Sequence, residues 1–312
     1  MVVEFSVVVS GYFMLLIMVL VSVAFVTLME QKVLAKMQRR AGPVFVGYWG
    51  LLQPFSDAVK LLSKETFTGG GVKSLVYYSA PVAGLTLALV LWLVTPFLEG
   101  GLELVYGVLF FMCVTGLKVY PILGSGWVSN CKYSMLGSLR AVAQMISYEI
   151  SMAVVMLILA FFSESFSFHK LLASQYLMWN FFLFSHIARI WMLCMFAETN
   201  RTPYDFSEGE SELVSGFNTE YGSGGFTLIF MAEYASIMLM SMGYSMLFLS
   251  SHFGMNIMVK CVMVTIWVVW IRGATPRFRY DKLMSLAWKK FLPVSLLLFV
   301  YYLGVGLFIK VI

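Results

Sequence analysis

Charge is what this chain has least of. Only 12% of its 312 residues are Asp, Glu, Lys or Arg, about half the share of an ordinary soluble domain, whereas 60% are hydrophobic and mean hydropathy is +0.86. A soluble globule is excluded, and an all-α polytopic membrane protein is expected. Cysteine and histidine are also sparse: Cys113, Cys131, Cys194 and Cys261 share no CxxC spacing, and His169, His186 and His252 lie far apart. Neither a metal site nor an iron–sulfur centre is expected within the chain. No GxGxxG or phosphate-loop pattern follows a strand-like run, so nucleotide binding has no support, and "TGGG" at 68–71 and "GSGG" at 222–225 read as bends. The net charge of +5 does not indicate nucleic acid, because the bases border apolar spans instead of forming a solvated stripe.

What the chain has in abundance is apolar run length. Segments able to cross about 30 Å of hydrocarbon at 1.5 Å per residue lie at roughly 5–29, 75–98, 102–122, 137–162, 174–198, 224–249, 256–272 and 291–311. They predict about eight transmembrane helices in a single membrane domain, residues 1–312. The first segment lacks a basic leader and a small-residue cleavage site, and should persist as a helix. Lys32, Lys36, Arg39, Arg40, Lys60, Lys64 and Lys73 crowd the first connection, and Arg272, Arg277, Arg279, Lys282, Lys289 and Lys290 crowd the last. Lys132 and Arg201 fall in the connections of the same parity, whereas the opposite set offers only Lys170. The positive-inside rule then places both termini outside and the loops at about 30–74, 123–136, 199–223 and 273–290 inside. Within the first loop, "QPFSDAVKLLSKE" opens with Pro54 and brings Phe55, Ala58, Val59 and Leu62 to one helical face, with Asp57, Lys60 and Lys64 opposite. Such a helix is too short to span and should lie along the interface.

Against this background the few acids stand out. Six of the sixteen, Glu198, Asp205, Glu208, Glu210, Glu212 and Glu220, gather in residues 197–221 around Arg201. Like charges a few ångströms apart repel strongly where water is scarce, so neutralisation by Arg201, Arg272, Arg277, Arg279 or Lys282, by a partner, or by shared protonation is expected. Glu149 and Glu233 fall near the middle of spans, where a carboxylate costs on the order of 3 kcal/mol and should face the bundle interior. A structural carboxyl and a proton relay both remain open for them. Around the fourth span, Arg140, Gln144, Ser147 and Ser151 share a face while Glu149 points nearly opposite, so it needs a partner from another helix. Arg189, within the fifth span, is a candidate counter-charge. Lys118, within the third, should snorkel toward the inside end on its aliphatic stem.

"GLLQPFSDAVKLLSKE", "GSLRAVAQMISYE", "AETNRTPYDFSEGESELVSGFNTEY", "FMAEY" and "RGATPRFRYDKLMSLAWKKFLP", in this order over nearly the whole chain, resemble the subunit 1 family of proton-pumping NADH:ubiquinone oxidoreductase, respiratory complex I, in its mitochondrially encoded form. The resemblance implies a subunit of the mitochondrial inner membrane at the elbow between redox and membrane arms, which walls the ubiquinone tunnel. It implies no cofactor in this chain, with FMN and iron–sulfur clusters held by partner subunits. A proton-coupling role follows for Glu149, Glu198, Glu208, Glu210, Glu212, Glu220 and Glu233. A quinone-binding role follows for Glu30, Arg40, Phe55, Asp57, Ala58, Val59, Leu62 and Arg279. The chain departs from the family pattern at Gln31, Ala41 and Val44, and the first two remove positive charge beside the implied cavity. Two other classes compete. A secondary cation/proton transporter also uses buried glutamates but favours inverted repeats, and no paired half-chain pattern is visible. A non-catalytic membrane anchor of a redox complex would not need acids at midplane depth.

Overall fold

The computed structural model describes residues 2–66, 74–96, 104–206, 209, 214–252 and 254–311. All regular structure among them is helical. The longest element, α1 (Val2–Met37), is apolar on every side and runs about 54 Å at 1.5 Å per residue, so it projects well beyond a hydrocarbon core. It ends where Arg39 adopts a positive φ of 55°. The amphipathic α2 (Gln53–Ser63) follows, with Pro54 in its first turn, where a missing N–H costs nothing.

Helices α3 (Ser74–Val90), α4 (Gly107–Leu117) and α5 (Val119–Val128) come next, then α6 (Lys132–Ser163). The α4–α5 junction has a local cause. Pro121 has no N–H to offer the Leu117 carbonyl, and the Lys118 N–H tightens onto the Thr115 carbonyl at 3.2 Å. The bundle is completed by α7 (Phe168–Ala173), α8 (Asn180–Leu183), α9 (Ser185–Glu198), α10 (Ser223–Tyr244), α11 (Met255–Ala274), α12 (Tyr280–Leu286) and α13 (Leu292–Val311). A π-helical turn at 287–291 joins α12 to α13 without interruption.

Seven helical stretches among the described residues are long and apolar enough to cross a membrane. The fifth expected span, 174–198, is built differently. Its first half is irregular apart from the four-residue α8, and α9 is 14 residues, about 21 Å, shorter than a bilayer core. Side-chain competition explains the break. α10 ends in a wider π turn at 245–249, and two amides capture carbonyls there: Gln175 Nε2 donates to Met246 O at 2.7 Å and Asn180 Nδ2 to Leu247 O at 3.0 Å. The backbone around 175–180 is held in place by these bonds instead of by a helix of its own.

The core lies among α6, α9 and α10. Trp191 is fully buried there, stacked at 6.5 Å on Phe111 and tilted against Phe248. The face of α6 that carries Gln144 and Ser151 meets α9 and the chain beyond it, while Ser147 accepts from Trp288 Nε1 of the π turn at 3.2 Å. Gln144 Nε2 holds the carbonyls of Ala197 (2.9 Å) and Tyr204 (2.8 Å), and Ser151 Oγ lies 3.1 Å from Cys194 Sγ. The turn at 216–218 docks on α6 at Gly137, where a Cβ would stand 2.9 Å from the Gly216 Cα. Gly137→Ala should therefore push that turn off α6 and cost about 1–3 kcal/mol by overpacking. Thermal unfolding of the assembled variant checks this, with Gly11→Ala, whose Cβ meets nothing within 4 Å, as the control.

Candidate functional site

The site is assembled around one acid near the end of α1. Glu30 is 5% exposed, not solvated as a position at a span end would suggest. Tyr234 of α10 donates its hydroxyl to Glu30 Oε2 at 2.5 Å, Arg272 of α11 forms an ion pair with Oε1, and Arg201 Nη1 lies 3.8 Å from the same oxygen. The Arg201 guanidinium also sits 4.5 Å over the Tyr234 ring, a cation–π contact that fixes its plane. One carboxylate thus faces two guanidiniums. Arg201 is aimed by the chain after α9. Asn200 takes a positive φ of 48°, Thr202–Pro203 is cis, and the Tyr204 N–H closes a turn onto the Arg201 carbonyl at 2.8 Å. Tyr204 itself is stacked on Phe278, and burial pushes its hydroxyl up to about 12, so it packs and does not titrate at physiological pH.

Two spaces flank this cluster. The first is a groove of about 440 Å³ between α1, α2 and α10, walled by Val23, Ala24, Ala58, Leu62 and Phe230 and reaching Tyr234. Its polar wall residues include Gln31 of α1 and Asp57, Lys60 and Lys64 of and just beyond α2. The face expected to carry Phe55, Ala58, Val59 and Leu62 together is divided. Ala58 and Leu62 line the groove, whereas Phe55 and Val59 face a separate, open depression beside Val46 and Leu52, with the Phe55 ring edge-on to Phe25 of α1 at 6.0 Å. The second space is a cavity of about 80 Å³ on the other side of α10, between α3, α5 and the end of α9. Lys118, Glu198, Asn200 and Glu233 supply its polar wall, and small residues of α3, Ala80 and Gly84, give it room. Glu149 stands just beyond, on α6. Its carboxylate packs against α4, where a Cβ on Gly116 would come within 2.9 Å of Oε1, so the partner helix that Glu149 required is α4.

The other expected residues are distributed as follows. Arg40 is exposed and bonds Gln38, and Arg279 is exposed and pairs with Asp281 at 3.2 Å; neither reaches the groove. Glu220 is exposed and only its carbonyl is engaged, by Tyr77 OH at 2.8 Å. Asp205 pairs with Arg277 at 3.0 Å, and Arg201 and Arg272, both offered as bases for the loop acids, approach Glu30. Glu208, Glu210 and Glu212 lie outside the described residues. Arg189 does not approach the buried acids; it bonds His186 at 2.7 Å on an exposed face of α9. Lys118 does not snorkel, because its ammonium is buried at the cavity. Sequence reasoning passed over Tyr234 as a partner of Glu30, although its hydroxyl, one residue from Glu233 in an otherwise apolar span, was the available signal.

Comparison with known proteins bears on the same residues. A family model described as NADH dehydrogenase matches residues 10–303, which take in every residue of the cluster, the groove and the cavity. The chain belongs to the NADH dehydrogenase family. Relatives named NADH-ubiquinone oxidoreductase chain 1 include those of Aedes aegypti, 49% identical over 96% of both chains, and Locusta migratoria, 48% identical over 96% of this chain and 95% of the other. That of the marsupial Phascolarctos cinereus is 45% identical over 92% and 93%.

Breaking a buried ion pair from one side costs about 3–5 kcal/mol, because the remaining charge stays desolvated. Glu30→Gln should fall near the lower end, about 3 kcal/mol, since Arg272 keeps 35% of its side chain exposed. Arg279→Gln, on a side chain 79% exposed, should change stability by less than about 0.5 kcal/mol. Thermal unfolding of the two assembled variants side by side measures the difference.

Proposed function

We propose that this chain is a core membrane subunit of a proton-pumping NADH:ubiquinone oxidoreductase in the mitochondrial inner membrane, and that it guides ubiquinone and couples its reduction to proton movement. The observation that carries this reading is the joint geometry of groove, cluster and cavity. A groove of about 440 Å³ falls in the size range of small-molecule sites, and its mostly apolar wall suits a neutral, long-tailed quinone. It reaches Tyr234, hence the Glu30 cluster, and Glu233, the next residue along α10, faces the acid-lined cavity.

Ubiquinone takes up two electrons and two protons to become ubiquinol. The electrons come from redox groups in partner subunits of the hydrophilic arm, as the family resemblance implies. As the quinone head gains negative charge, it attracts Arg201 and Arg272 and competes with Glu30 for them. Arg201, the more loosely held at 3.8 Å, is three residues from Glu198. A shift of its guanidinium changes the field at Glu198, then at Glu233 and Glu149, and biases where protons reside among the three. Neighbouring membrane-arm subunits would carry the effect onward.

Two measurements on the intact complex test this. Ala58→Trp, which fills the groove, should raise the KM for ubiquinone several-fold with little change in kcat, whereas Val59→Trp, on the side of α2 away from the groove, should not. An unchanged KM in assembled Ala58→Trp complex would remove the groove from the quinone path. Glu233→Gln keeps the shape and removes the titratable group, and should lower protons pumped per electron more than it lowers assembly. Full pumping by the assembled variant would reduce Glu233 to a structural carboxyl.

A further inference from the structure

Lys118 is the one basic residue of the cavity wall, and it is placed there by the break between α4 and α5. Its side chain is 9% exposed and Nζ has no hydrogen-bond partner. Glu198, on the same wall, is 7% exposed, and its Oε1 also lacks a partner. The two groups line the same cavity, and Glu149 stands beyond it on α6 against Gly116. Two buried, opposite, unsatisfied groups across a shared space are costly unless something joins them. A water needs about 10–15 Å³ of such space and two or more polar partners, so a cavity of about 80 Å³ with Lys118, Glu198, Asn200 and Glu233 on its wall can hold several. The C-terminal end of α4, whose Leu117 carbonyl Pro121 leaves without its usual donor, adds partial negative charge at the base of the lysine.

We propose that Lys118 and Glu198 form a water-bridged proton-exchange pair. In one state the pair is an ammonium and a carboxylate. In the other, an N–H bond of the ammonium has broken, an O–H bond has formed on Glu198, and both groups are neutral. The exchange moves one proton through the bridging water and leaves the net charge of the cavity unchanged, so it is driven by field alone. Added negative charge near Glu198 favours the neutral pair, and withdrawal of that charge restores the ion pair. Lys118 thereby sets when Glu198 holds a proton that Glu233 can receive. The inference rests on the coupling role proposed for Glu198 and Glu233.

The test uses the intact complex carrying Lys118→Met, which keeps length and removes the proton. Quinone-reductase turnover and proton yield should fall tenfold or more. Infrared difference spectra of quinone reduction should lose the carboxyl band that Glu198→Gln removes from the wild type, because an unpaired Glu198 stays protonated throughout. Wild-type turnover, proton yield and carboxyl band in assembled Lys118→Met would overturn the pair. If that outcome accompanies lost pumping in Glu233→Gln, the coupling reading stands and only the pair fails. Should Lys118→Met not assemble, the double variant Lys118→Met/Glu198→Gln decides. Restored assembly shows that Glu198 without its lysine was the fault and supports the pair, and continued failure assigns Lys118 to packing and overturns it.

Discussion

Everything near the site depends on the desolvated carboxylate of Glu30. It joins α1 to α10 through Tyr234, to α11 through Arg272, and to the chain beyond α9 through Arg201. Each of these elements has mostly apolar neighbours, and apolar packing alone would let them slide, since dispersion is nearly as good in one register as in the next. A buried charge removes that freedom. It is costly anywhere except where its donors converge, so one arrangement of four segments is selected, and the groove and the cavity are the spaces left on either side of it. Conformational specificity, more than net stability, is what such a cluster contributes.

Interrupted helices do related work. A continuous α4–α5 helix would let the Lys118 backbone follow regular α geometry and swing its side chain to a different azimuth. Pro121 prevents this and delivers the ammonium to the cavity. The irregular stretch before α9 likewise shortens a would-be span, so that Glu198 and Arg201 follow a helix fixed at its far end by Gln175 and Asn180. Polar side chains at depth and broken backbone occur together because each supplies the hydrogen bonds the other lacks.

Much of this was legible in the residues. Run length gave seven of the spans, since a stretch of some twenty apolar residues has few alternatives to a helix in lipid. Of the α6 face that period 3.6 assigned to Arg140, Gln144, Ser147 and Ser151, Gln144 and Ser151 meet α9 and the chain after it, Arg140 and Ser147 meet α12 and the π turn behind it, and Glu149 points to α4. The fifth span was misread because its amides look like tolerated polar residues in a hydropathy count, and their carbonyl acceptors lie some seventy residues further along the chain. The partners of Glu30 were equally hidden, being 171 to 242 positions away, and charge counting alone offered Arg201 and Arg272 to the loop acids. The placing of Phe55 and Val59 away from the groove has a similar origin: a helical wheel defines a face but not which neighbour it meets.

Consecutive residues of α10 open onto different compartments, Glu233 onto the cavity and Tyr234 onto the groove. Neighbours on a helix diverge by about 100°, so a single backbone forms both the wall of one space and the floor of the other. Coupling of this kind is reciprocal. Whatever factor an occupant of the groove applies to proton affinity in the cavity, protonation of the cavity must apply to the affinity of that occupant. Under the proposed function the partition would therefore also be a sensor: a proton gradient raised against the cavity would be felt in the groove as altered retention of its ligand, and back-pressure on pumping would register as slower exchange of the substrate.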